Sequence, residues 1–535
     1  MNQRECCETA RRFCPIRTSA RQEICAPIQP DRIGGSSWKK TEVKMNTMTK
    51  ITPKHALKTG EEFKASLDDG RQLWVNGNKI GKVMDEPALA AGIDLMASMF
   101  DDQFTEEYAE ATTVLDKRSG LVTGRSWQVP ETKEEMIGRR MMMEYTSRKT
   151  VGTFGRPPDL GPTLAVGILA HLHLFKDFKS AFPECQPDFV ENVQRYVEFG
   201  RMNSITCAES LTGPQNDRSS PLAQAASLLR VKRIEKDGVY ISGAKSVGSI
   251  AAQTNEIFFS NLAYPGTPPE AAIWGAVPIN SDGIKLVSRE MLSNPGADPF
   301  DHPLGYKGEE ADQLVIFKEV FVPKERIFNL GNEHVLAISG KATLFAHYHV
   351  LTRLKVKSEV FVACAKMVTE VLGTSQIPGV RSMLAEIIEY NRTLEAFILA
   401  AEANAEINES GVVCPDVMMI TTGRLYAIRN YPHIIHVLQE MCGQGLVMRF
   451  GKAAFANPDI GPDLAELLPG KGVTGMQKEK LMNFIWDLTC SSLAGRVALF
   501  ENVNASPAPR MRERLVSEFD TSAMVADLKK IAELD

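Results

Sequence analysis

Val239-Tyr240-Ile241-Ser242-Gly243-Ala244-Lys245-Ser246-Val247-Gly248-Ser249 is the stretch on which the fold turns. It starts with β-formers and runs on in small residues, which on a strand let a ring or another backbone approach closely. From about Met202 to Val322 the surrounding pattern is one of short strands. Glu256 to Phe259, Ile273 to Val277, Ile284 to Val287 and Leu314 to Phe317 are β-rich runs, parted by Gly, Pro, Asn and Asp. A barrel or sandwich is expected here.

On both sides of this stretch the period becomes helical. From Pro87 to about Tyr196, apolar residues recur at helical spacing, and Leu89, Ile93, Met96 and Phe100 share one face. After Pro323, four long helices are expected over Thr343 to Leu372, Val380 to Ile407, Asp416 to Met441 and Lys478 to Glu501, which suggests a bundle. Ahead of Pro87, Thr59 and Glu62 form a capping box for a helix ending at Asp69-Gly70. Leu73 to Val75, Asn76-Gly77 and Lys79 to Val83 then read as a hairpin with a type I′ turn. The expected organisation is α+β: a disordered tail over 1–50, a mainly helical domain over 51–200, a β domain over 201–325, and a helical bundle with its tail over 326–535.

Composition excludes several classes of partner. The 535 residues carry a net charge of -5, which gives no reason to expect a nucleic acid or an anionic membrane surface. The longest apolar stretch, Thr163 to Phe175, is interrupted by His171 and His173 and falls short of the ~18 residues of a membrane span. No secretory signal pattern is present. The ten cysteines are scattered irregularly, which fits a reducing cytoplasm rather than a disulfide framework. Four of them (Cys6, Cys7, Cys14 and Cys25) lie in the patternless first 50 residues without metal-ligand spacing, and Met45 or Met48 is an alternative start.

The common catalytic signatures are missing. There is no Walker A loop, no GxGxxG after a strand and no GxSxG elbow. The nine histidines do not assemble a ligand set by spacing. Four segments are unusual for plain structure. Gly155-Arg156-Pro157-Pro158-Asp159 holds an arginine between a glycine and two rigid prolines. Gly213-Pro214-Gln215-Asn216-Asp217-Arg218 is a polar loop at the start of the β domain. Ser242 to Ser249 is the small-residue strand. Ser491-Ser492-Leu493-Ala494-Gly495-Arg496 breaks the last long helix.

In this order, these segments resemble the oxygenase component of the 4-hydroxyphenylacetate 3-monooxygenase family, which is related in fold to acyl-CoA dehydrogenases and 4-hydroxybutyryl-CoA dehydratase. Further elements of the likeness are Thr59-Gly60-Glu61-Glu62-Phe63, Ser66 to Arg71, His302-Pro303-Leu304, Val320 to Phe328, and Arg353 with Lys357, so that it spans about residues 51–510. The resemblance implies an acyl-CoA dehydrogenase-like architecture: an N-terminal helical domain, a central β domain and a C-terminal four-helix bundle, assembled as a homotetramer. It implies that FAD, as FADH2, diffuses in from a separate NAD(P)H:flavin reductase. O2 would then form a C4a-hydroperoxyflavin that hydroxylates an electron-rich ring, typically ortho to a phenol hydroxyl.

Site residues follow from the resemblance one by one. The family's catalytic and substrate-binding arginine corresponds to Arg156. The aromatic residue after the family's Asp is replaced by Leu160. Counting back from Asp217-Arg218 without gaps, the family's histidine is replaced by Glu209. Flavin contacts fall on Glu209, Ser210 and Leu211, on Gln215, Asn216, Asp217 and Arg218, on Ser249, and on Ser491, Ser492, Leu493 and Ala494. No metal is expected. Leu160 lacks a hydroxyl to bind a phenol, and Glu209 exchanges a possible cation for an acid. Another phenol, or an electron-rich N-heterocycle such as a pyrrole or indole, therefore becomes the expected substrate. The alternatives are a 4-hydroxybutyryl-CoA dehydratase-like or acyl-CoA dehydrogenase-like flavoenzyme, and a non-catalytic flavin-fold scaffold. The first needs cluster-binding cysteines, and the chain has none between Cys25 and Cys185.

Overall fold

Thr59 starts the first helix through the reciprocal cap its sequence predicts. Its Oγ1 accepts from the Glu62 amide at 3.2 Å, while the Glu62 carboxylate accepts from the Thr59 amide at 2.7 Å. The helix covers Gly60–Ala65. It ends before the expected Asp69-Gly70 because Ser66 turns its hydroxyl onto the Phe63 carbonyl. Asn76 and Gly77 both take positive φ, 50° and 80°, as a type I′ turn requires, and join the strands Leu73–Val75 and Asn78–Ile80.

This hairpin is part of the central sheet. Leu73–Val75 pairs in parallel with Ile284–Ser288, which makes the hairpin one edge of a six-stranded sheet. The sheet continues through Asp312–Pro323 and Gly238–Ser249 to Arg230–Glu235. A four-stranded sheet runs Ile327–Leu330, Ile273–Pro278, Glu256–Ser260 and Cys207–Ser210. The computed structural model describes residues 55–217, 219–220, 226–261, 267–332, 334, 339–504 and 508–534. The expected 1–50 tail and Arg218 lie outside these.

Gly238–Ser249 and Asp312–Pro323 are each 12 residues long, far longer than their β-rich cores suggest. Small residues carry the first strand onward: a Cβ on Gly243, at φ +142°, would stand 2.5 Å from the Leu229 backbone. Three strands of these two sheets escape the sequence pattern, namely Cys207–Ser210, Arg230–Glu235 and Ile327–Leu330. Two of them have only four residues, and in the other the adjacent charges Lys232 and Arg233 interrupt the alternation, so none shows a clean period of two.

The C-terminal helices are Leu344–Val371, Pro378–Ala403, Val417–Cys442 and Gly475–Thr489, followed by Ser492–Leu499. The expected single helix over 478–501 is thus two helices, because Ser491 N-caps a restart: its Oγ accepts from the Ala494 amide at 3.2 Å. Among the described residues, no helix is long and apolar enough to cross a membrane.

The helix Leu160–Ala170 is buried along almost its entire length. Two glycines let it lie directly on its neighbours. A Cβ on Gly161 would stand 1.8 Å from the Cys207 carbonyl oxygen, and one on Gly167 would stand 1.9 Å from that of Ala342. Backbone cannot yield as a flexible side chain can. Gly161→Ala is therefore expected to destabilise the chain by about 1–3 kcal/mol, the usual range for overpacking. Urea unfolding checks this, and an unchanged midpoint would refute the contact.

Candidate active site

A cavity of about 410 Å³ lies where the start of the helix Leu160–Ala170, the end of the strand Cys207–Ser210 and the C-terminal helices meet. Arg156, Leu160, Glu209 and Leu211 line it, with His347 and Arg424 from the bundle. The sequence singles out the first four. Arg156 Nε stands 2.6 Å from Glu209 Oε1, and both side chains are largely buried. The replacement acid and the arginine are therefore an ion pair inside the cavity, where water screens it little.

The backbone of Arg156 is held by one carboxylate. Glu310 accepts from the amides of Gly155 at 2.6 Å and Arg156 at 2.5 Å, and also pairs with Arg496. Gly155 is required because a Cβ there would stand 2.2 Å from the Phe500 ring, over which the Arg156 guanidinium lies at 4.8 Å. Arg353 donates to the Gly155 carbonyl at 2.6 Å and binds Glu501 through two contacts of 3.1 and 2.6 Å. Burial pushes Glu501 up, but Arg353 and Lys357 outweigh it and hold the carboxyl below its ordinary range.

This lattice gathers further expected residues. Ser249 Oγ donates to Asp312 Oδ1 at 2.6 Å, and Arg496 Nε reaches Asp312 Oδ2 at 2.9 Å. Ser491 caps the helix that carries Arg496. Leu493 and Ala494 are buried there, while Ser492 is exposed. Other residues stand apart from the cavity. Strand alternation turns Ser210 away from the face of Glu209 and Leu211, and its buried hydroxyl has no hydrogen-bond partner among the described residues. Gln215 and Asp217 are exposed, and Asn216 donates to Ser227 at 2.7 Å.

Several participants carry no signal in the sequence. Glu310 and Asp312 read there as ordinary charges beside a strand. His347 is kept neutral by burial, reinforced by Arg424, Arg514 and Arg156, which hold its pKa well below the usual value. His349 Nε2 lies 3.0 Å from Asp159 Oδ2, beneath the start of the cavity helix.

The fold is one that binds flavin in an oxygenase. The chain superposes on the FAD complex of the oxygenase component of 4-hydroxyphenylacetate 3-monooxygenase with a TM-score of 0.82 and 27% identity, over 89% of this chain and 98% of that one. An archaeal 4-hydroxybutyryl-CoA dehydratase, 18% identical, shares the fold with a TM-score of 0.79, over 90% of this chain and 95% of that one. The family model "4-hydroxyphenylacetate 3-hydroxylase N terminal" matches residues 59–329, and its C-terminal counterpart matches 335–533. The chain belongs to the 4-hydroxyphenylacetate 3-hydroxylase family. Among curated relatives, the 2,4,6-trichlorophenol monooxygenase of Cupriavidus pinatubonensis is 29% identical over 87% of this chain and 90% of its own length. The FADH(2)-dependent monooxygenase TftD of Burkholderia cepacia is 27% identical, over 87% and 90%.

Lys245 ties the strand that ends at the cavity to its neighbours. Its buried Nζ donates to the Leu211 carbonyl at 3.0 Å and to Asn261 Oδ1 at 2.5 Å. Burial lowers its pKa to about 7, and a neutral amine still has the two N–H groups these acceptors need. An unfolded lysine titrates near 10.4, so between these values the unfolded chain binds more protons. This group therefore favours folding increasingly as pH rises from about 7, by at most about 1.4 kcal/mol per unit. The stability difference between the native chain and Lys245→Met is expected to grow in favour of the native chain from pH 7 to 9. A difference independent of pH in urea titrations would contradict the neutral lysine.

Proposed function

We propose that this chain is the FADH2-dependent oxygenase component of a two-component aromatic monooxygenase, and that its ring substrate enters the cavity of Arg156 and Glu209. The Arg156–Glu209 ion pair is the observation that carries this reading. A carboxylate oriented by a guanidinium accepts a hydrogen bond from a phenol O–H or a ring N–H. The Arg156 guanidinium can stabilise negative charge that develops on the substrate oxygen. Leu160, Leu164 and Phe258 form apolar walls that suit a flat ring and exclude water.

The residues present fit FAD. Trp274 lines this cavity, and its indole N–H is buried without a hydrogen-bond partner among the described residues, a group that the polar edge of a ring would satisfy. Glu209 to Leu211, Gln215 to Arg218, Ser249 and Ser491 to Ala494 would hold the cofactor, with Ser210 contributing main-chain groups. When bound in its reduced form, FAD supplies the activation of O2 and the transfer of one oxygen atom to the ring. The other atom leaves as water. Glu209 fixes the donor on the ring, and Arg156 sets the local charge.

The chain has no dinucleotide fingerprint, so reduced FAD comes by diffusion from a separate NAD(P)H:flavin reductase. A phenol or an electron-rich N-heterocycle such as a pyrrole or indole is the substrate class. The assembly is a homotetramer, with domain boundaries near residues 200 and 325. It works in the cytoplasm without nucleic-acid or membrane partners, where the six described cysteines, all free thiols, remain reduced.

Single-turnover hydroxylation with pre-reduced FAD tests the assignment. Arg156→Ala is expected to lower the rate by ~10²–10³-fold, and Arg156→Lys, which keeps the charge but not the planar fork, to recover it in part. Hydroxylation by Arg156→Ala at the native rate would remove Arg156 from the active site.

A further inference from the structure

Lys357 lies one turn beyond Arg353 on the helix Leu344–Val371, and its side chain is fully buried. Its stem packs against the turn that leads into the Arg156 loop: a Cβ on Gly152, at φ +66°, would stand 2.9 Å from Lys357 Cβ. The amine end has no hydrogen-bond acceptor among the described residues, and Nζ lies 5.1 Å from the centre of the Tyr431 ring. A buried cation is tolerated where nearby carboxylates offset the cost of leaving water. Glu501 and Glu310 do so here, against the like charges of Arg353 and Arg496.

These two acids are the ones that hold the main chain around Arg156. Glu310 accepts from the amides of Gly155 and Arg156. Glu501 grips Arg353, which donates to the Gly155 carbonyl. Glu501 itself comes from a π-helical turn, Phe500–Asn504, a local form frequent at functional sites. We propose that Lys357 is a positioning residue for the reaction: its charge, shared by Glu501 and Glu310, keeps both carboxylates on the loop and so holds Arg156 in place. The consequence for hydroxylation rests on the reading that Arg156 serves the ring substrate; the hold on the loop does not. Lys357 is the one amine of this set. Burial, opposed by Glu501 and reinforced by Arg353 and Arg496, lowers its pKa to about 8. The charge is present below that value and lost as pH rises through it, and the hold on both acids weakens with it.

Hydrogen–deuterium exchange of the full chain at pH 7, without flavin or substrate, tests the hold directly. Pro157 and Pro158 have no amide, so exchange over residues 155–158 comes from Gly155 and Arg156 alone. In Lys357→Met, an unbranched side chain without charge, these two amides are expected to exchange roughly 3- to 100-fold faster, the range for coupling within one charge network, while the strands of the central sheet exchange as in the native chain. Lys357→Arg keeps the charge, guards against a variant that fails to fold, and should exchange close to the native rate. Unchanged exchange at Gly155 and Arg156 in Lys357→Met would overturn the proposal, as would equal acceleration throughout the chain or the same loss of protection in Lys357→Arg. Single-turnover hydroxylation with pre-reduced FAD gives the second readout. The native rate is expected to fall as pH rises through about 8, Lys357→Met to be slow on both sides of that pH with substrate affinity unchanged, and Lys357→Arg to lose the fall. A fall retained in Lys357→Arg would overturn the role of Lys357. A native chain that hydroxylates no ring would count against the function proposed above and not against the hold on the loop.

Discussion

The carboxylate of Glu310 is the constraint on which the site depends. It receives the amides of Gly155 and Arg156 and also pairs with Arg496, so it joins the cavity loop to the last helical segment. A single neutral acceptor could not do both, because the two amide contacts use both oxygens and the pairing with Arg496 needs negative charge. Around it, Asp312 binds Arg496 and Arg289, and Glu501 binds Arg353. Each of these ions is wholly or largely buried, and none would be tolerated alone. Removing one partner would leave its neighbour charged in a poorly solvated place, a loss of about 3–5 kcal/mol by general experience with such pairs. The lattice thus fixes Arg156 more firmly than its two prolines could.

That rigidity gives the Arg156–Glu209 pair its chemical meaning. An arginine free to swing would follow any anion. One whose main chain is clamped, and whose guanidinium rests on Phe500, can only present a fixed edge. The preorganised charge then acts without reorganising as the reaction proceeds. In the proposed reading Glu209 and Leu160 take the places of the family's histidine and aromatic residue, which would give the ring-binding end of this cavity a different polarity.

The parts of the fold legible in the sequence are those written by neighbouring residues. The Thr59–Glu62 box and the Asn76-Gly77 turn need only local geometry. The parallel pairing of Leu73–Val75 with Ile284–Ser288 joins segments about 210 residues apart, and no local pattern announces it. Arg156 was visible because glycine and proline frame it. Glu310 was not, since an acid before a strand usually faces water. Ser210 was expected among the flavin contacts, but the four-residue strand that holds it gave no period of two, so the face its side chain takes could not be read. Arg424 lay hidden in a helical pattern where a lone arginine normally marks the solvated side.

The most direct measurement is the fate of labelled oxygen. The full chain is mixed with chemically reduced FAD, ¹⁸O2 and a phenol, a pyrrole or an indole, with no reductase present, and the product is weighed by mass spectrometry. The account predicts that at least one of these rings gains a single ¹⁸O atom, and that Arg156→Ala suppresses the gain. If FADH2 is oxidised while every ring is recovered unlabelled, with all the oxygen released as hydrogen peroxide, the cavity of Arg156 and Glu209 is not an oxygenation site.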